Sequence, residues 1–60
     1  MRVVFNLRIP GNHSLLKTFE LDAIPRDGEV VIIADIPRIV HSVEWITDAD
    51  DEMFVKVLLK

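Results

Sequence analysis

From Arg2 to Arg8 the chain alternates: in "RVVFNLR" Val3, Phe5 and Leu7 fall on one face, and Arg2, Val4, Asn6 and Arg8 on the other. This is the two-residue repeat of a strand with one side against a core. No window places apolar residues at helical spacing as well as it places them at this one. Turn-forming residues follow in "PGNHS", and "LLKTFELD" resumes the alternation with Phe19 and Leu21 opposite Thr18, Glu20 and Asp22. Here Ser14–Phe19 also fits a short helix capped by Ser14. "EVVIIA" is an unbroken, mostly β-branched run bounded by Asp27-Gly28 and by Asp35 and Pro37, which predicts a strand buried on both faces. "RIVHSVEWIT" sets Ile39, His41, Val43 and Trp45 against Val40, Ser42, Glu44 and Ile46. "MFVKVLLK" sets Met53, Val55, Val57 and Leu59 against Phe54, Lys56, Leu58 and Lys60. The pattern predicts one all-β domain over residues 1–60, a small five-stranded antiparallel barrel of SH3-like, partly open type or a strongly bent sheet.

All three prolines follow isoleucine, in Ile9-Pro10, Ile24-Pro25 and Ile36-Pro37. Proline removes a ladder donor and holds its predecessor extended, so each pair reads as the end or beginning of a strand. A repeated working motif would repeat its surroundings, whereas "RDGEVVII" and "RIVHSVEW" differ in turn chemistry and parity.

The middle of the chain, "IPRDGEVVII…PRIVHSVEW", resembles the Pro-Arg-x-Gly-Glu/Asp-x-Val strand, short connector and Val-x-x-Val-x-Trp strand of small uncharacterised bacterial and phage β-barrel proteins. More loosely it resembles KOW or SH3-like barrels. The resemblance implies a five-stranded, partly open barrel in which Gly28 supplies a turn and Val30–Ile33 form a central strand. KOW-type modules keep a glycine and basic residues at the connector, whereas this one is "ADIP". The fold is therefore what the resemblance implies, without an RNA contact.

Sixty residues allow one thin core, burying roughly 60% of the unfolded chain's surface. With no cysteine, disulfides, thiolate nucleophiles and Cys-based zinc sites are excluded. Half the residues are apolar, too many for a disordered chain. The net charge of −3, with Arg2, Arg8, Lys17, Arg26, Arg38, Lys56 and Lys60 scattered, argues against a nucleic-acid surface, which needs a basic stripe. No stretch approaches the roughly 18 apolar residues of a membrane span, and "MRVVFNLRIPG" is too short and strand-like for a signal peptide. A cytoplasmic protein without membrane contact is expected.

Candidate chemistry is sparse. His13-Ser14 lacks the base, orienting acid and oxyanion hole of a hydrolytic site. His41 and Glu44, three apart on a strand, should point to opposite faces and share neither a proton nor a metal. Asp48, Asp50, Asp51 and Glu52 form an acidic loop between apolar strands; the EF-hand glycine and distal glutamate are missing, so a hairpin turn is expected rather than a cation site. The parity of Trp45 places it in the core with Ile39 and Val43. No catalytic residue, metal or cofactor is expected.

What remains is an excess of apolar residues on the faces that should be wet: Val4, Val40, Ile46, Phe54 and Leu58. Monomers seldom expose such a set. The expectation is a non-enzymatic interaction or assembly module, covered by a second copy in a homodimer or by another protein. The alternative is an acidic nucleic-acid mimic or a barrel touching RNA through local basic residues.

Overall fold

The computed structural model describes the backbone of residues 1–9 and 12–60 and the side chains of residues 1–8 and 15–60. Five strands form among them: β1 (Arg2–Ile9), β2 (Asn12–Glu20), β3 (Val30–Ile33), β4 (Ile36–Thr47) and β5 (Met53–Leu59). The backbone over Ser14–Phe19 belongs to β2, so the helical alternative for this segment does not hold. Of the turn expected at "PGNHS", the backbone of Asn12, His13 and Ser14 belongs to β2, and Pro10 and Gly11 lie outside the described residues.

The strands make one sheet in the order β2-β1-β5-β4-β3. Three of its pairings are antiparallel, but β1 and β5 run parallel. The all-antiparallel expectation is thus corrected to a mixed sheet. β2 and β3 are its free edges, yet Phe19 from one and Val31 and Ile33 from the other pack against the same core. The sheet is curled into a half-barrel, open between those edges.

The concave face is built in cross-strand rows, Val3 beside Val55 beside Trp45, Phe5 beside Val57 beside Val43, and Leu7 beside Leu59 beside Val40. Val3, Phe5, Val40, Val55, Val57 and Leu59 are buried there, each side chain contributing roughly 1.5–3 kcal/mol of transfer free energy. Phe5 and Phe19 meet edge to face, with ring centroids 5.7 Å apart. The expected interior set is therefore largely present, except that Val40 joins it and Trp45 does not.

A β-bulge explains Val40. Between Val40, which faces Leu59, and Ser42, which faces Leu58, β4 carries one extra residue, His41. An extra residue lets two side chains oppose one and resets the alternation. Val40 and Val43 both point to the core, and His41 turns to the outer face with Ser42, Glu44 and Ile46. His41 and Glu44, expected on opposite faces, share one. A second irregularity between Phe5 and Asn6 sets Leu15 and Leu16 together opposite Asn6.

Segment 21–29 links the two edges across the open side, with Leu21 and Ile24 half-buried against the core. It ends in a turn whose Glu29 N–H donates to the Arg26 carbonyl at 3.1 Å. Gly28 takes φ 86°, the positive value that the third position of a type II turn requires. β3 and β4 then form a hairpin closed by Ala34 and Asp35, both at positive φ (53° and 65°), as in a two-residue turn of the I′ kind. Among the described residues β3 pairs with β4 alone, so it is an edge strand rather than the doubly buried, central strand expected of "VVII". Ile36-Pro37 opens β4, and Pro37 stands opposite Ile32.

Candidate interaction surface

Of the five residues expected to form an outward apolar face, Val40 is only 2% exposed and belongs to the core. Leu58 does lie on the outer face but is 7% exposed. Asn6 and Ser42 flank it on the neighbouring strands, and the Arg8 guanidinium reaches across β5 to His41 Nε2 at 2.8 Å. Val4, Ile46 and Phe54 are half-buried, and the Arg2 guanidinium sits 4.6 Å from the centre of the Phe54 ring. Polar side chains thus cover much of what the alternation had left bare, because long arginines lay their stems over apolar neighbours. His41 is half-buried, but on the face opposite Val43 and Trp45. Its Nδ1 and the Oδ1 of Asn6 are buried without partners among the described residues.

The acidic loop is a turn built around one carboxylate. Asp48 Oδ1 accepts the backbone N–H of Asp50 at 2.9 Å and of Glu52 at 3.1 Å. The Asp48 N–H donates to the Glu52 carbonyl at 3.0 Å, and the Asp51 N–H to the Asp48 carbonyl at 3.1 Å. Asp51 follows at φ 60°, which completes the turn-plus-bulge pattern of a three-residue hairpin loop. Arg2 approaches the other Asp48 oxygen at 3.9 Å. Asp50, Asp51 and Glu52 are exposed, and no three acidic or imidazole side chains among the described residues converge as metal ligands would. The side chains of His13 and Ser14 lie outside the described residues.

Trp45 is 57% exposed, not a core residue. It stands on the expected face, opposite Val55, but its row lies at the open end of the concave face. With Val43 it forms one wall of a depression of about 560 Å³ whose other wall is Ile24, Pro25, Arg26 and Asp27.

A second apolar surface lies on the β3–β4 hairpin. Val30 pairs with Ile39 and Ile32 with Pro37, so these four side chains share the outer face. Val30 is 61% exposed and Ile32 67%, with Ile39 and Pro37 exposed beside them. Beneath them Val31 and Ile33 pack on the core, which fixes the hairpin's orientation and leaves the alternate residues outside. The sequence did contain this signal. A continuous apolar run has two faces to bury, and a strand placed last in the sheet has a covering for only one. What concealed it was strand order.

No protein-family model, no curated protein and no solved structure matches this chain.

Proposed function

We propose that this chain is a non-enzymatic protein-interaction module whose working surface is the outer face and free edge of the β3–β4 hairpin. The observation that carries the reading is the exposed row of Val30, Ile32, Pro37 and Ile39 on an unpaired edge strand. A contiguous apolar surface of this kind marks a protein contact, and an open strand edge adds backbone hydrogen bonds to it. The basic side chains favour this reading over a nucleic-acid surface, because several are engaged singly within the fold. Arg2 lies on Phe54 and Asp48, Arg8 on His41, and Arg38 reaches the Lys60 carbonyl at 3.3 Å.

The test is affinity capture from cell extract, comparing the unsubstituted chain with Ile39→Ser at low and high salt. A protein retained by the former, released by the substitution and indifferent to salt supports the reading, since apolar association survives salt. Retention of nucleic acid that falls steeply with salt overturns it.

A further inference from the structure

We infer that β3 pairs antiparallel with β3 of a second copy of this chain, Val30 of each facing Ile32 of the other, so that one continuous sheet runs through a two-fold dimer. The inference rests on the interaction reading above and names its partner.

The free backbone groups of β3 identify themselves. The Ile39 carbonyl accepts the Lys60 N–H at 2.9 Å, so it faces β5 and away from β3. Its opposite residue, Val30, therefore stands in a non-hydrogen-bonded pair, with its own N–H and C=O turned outward. Alternation turns those of Ile32 the same way. The intervening groups face inward, as the Glu29 carbonyl shows by accepting the Val40 N–H at 2.9 Å.

A two-fold axis normal to the sheet requires facing residues of equal parity, which leaves few registers. Centring the contact on Ile32 sets Val30 against Ala34, which its φ of 53° takes out of the strand. Centring it on Val30 sets Ile32 against Gly28, whose N–H already donates to the Val40 carbonyl at 2.9 Å. Centring it on Val31 sets Val30 against Ile32 twice over and uses every outward group of the strand. That register also joins the two exposed pairs into one apolar stripe, with Pro37 and Ile39 of each copy along its borders.

The two edges of the sheet differ in a way that fits this assignment. β2 carries a bulge and the exposed Lys17, devices that discourage strand addition. β3 has no lysine, no proline and no bulge across Val30–Ile33. One open edge and one guarded edge give a closed pair of copies instead of a growing fibre.

Because the chain has no cysteine, single-cysteine variants report the register cleanly. In it Val31 faces Val31 of the second copy in a non-hydrogen-bonded pair at roughly 4.5 Å between Cα atoms, within disulfide reach. Val30 is diagonal to its own counterpart at roughly 7–8 Å, outside that reach. Under mild oxidation Val31→Cys should cross-link at least about tenfold faster than Val30→Cys, where geometry decides the bond. The unsubstituted chain should sediment at twice the monomer mass at micromolar concentration. Ile32→Pro, which removes an outward donor and an exposed side chain of the stripe but no hydrogen bond to β4, should sediment as a monomer with its strand spectrum retained in circular dichroism. If that variant fails to fold, the cysteine pair still decides.

A monomeric unsubstituted chain, or equal cross-linking of the two cysteine variants, overturns the inference. If the chain is monomeric yet captures another protein in an Ile39-dependent way, the interaction reading stands without the dimer. A dimer that survives Ile32→Pro but is lost in Ile39→Ser overturns the edge register alone. A dimer indifferent to both substitutions overturns both readings.

Discussion

Asp51 holds a left-handed backbone at φ 60° and Ala34 another at 53°, conformations that burden any side chain carrying a Cβ. Asp51→Gly should raise stability by roughly 0.5–1 kcal/mol, the relief of that strain less the greater freedom of glycine in the unfolded chain. Ala34→Asn should act in the same direction, since asparagine tolerates the first position of this turn and alanine does not. Asp48→Ala should lower stability by about 1–2 kcal/mol, because the Asp50 and Glu52 N–H groups lose their shared acceptor. Urea midpoints at fixed protein concentration measure all three. An unchanged midpoint for Asp48→Ala would show that the carboxylate does not hold the loop. These positions were partly readable: Asp-Gly before β3 and the acidic loop announced turns, whereas nothing in "IADI" announces a positive φ at Ala34 and Asp35.

On the scale of the strand, alternation located four of the elements and an unbroken β-branched run located β3, because each needs at least one apolar side and this requirement is written locally. The bulge at His41 escaped because an inserted residue is a backbone event with no composition of its own. Its trace is a mid-strand change in which parity carries the apolar residues, from Val40 to Val43. The substitutions that separate the two parities are therefore informative. Val40→Ala should cost roughly 2 kcal/mol, removing two buried methyl groups and leaving a cavity. Ile46→Ala, on the half-buried outer face, should cost less than half as much, and thermal melts compare them directly. Equal costs would mean that the sheet keeps simple alternation through His41. The interaction surface was the least legible part, since whether Val30–Ile33 lies in the middle or at the edge depends on the pairing of β1 with β5, far away in sequence.

For the molecule as a whole, the hairpin face and the Trp45 depression belong to opposite sides of the sheet, so they should report independently. As the single tryptophan, Trp45 should emit as a solvent-exposed indole and be quenched by acrylamide, with no change when the protein is diluted through its self-association range. Trp45→Ala should shift stability by no more than about 0.5 kcal/mol, as a surface substitution does. A blue-shifted, protected emission would return Trp45 to the core. The parallel pairing of β1 with β5 has a consequence of another kind, for the order of events in folding. The β1–β2, β3–β4 and β4–β5 hairpins can each form from neighbouring residues, but the core they share needs Val3 beside Val55 and Phe5 beside Val57. That contact closes a loop nearly as long as the chain, and loop entropy makes it the slow step. On the ribosome, the β1–β2 hairpin therefore waits with its apolar side bare until β5 is released, and this sheet acquires its core in a single late closure.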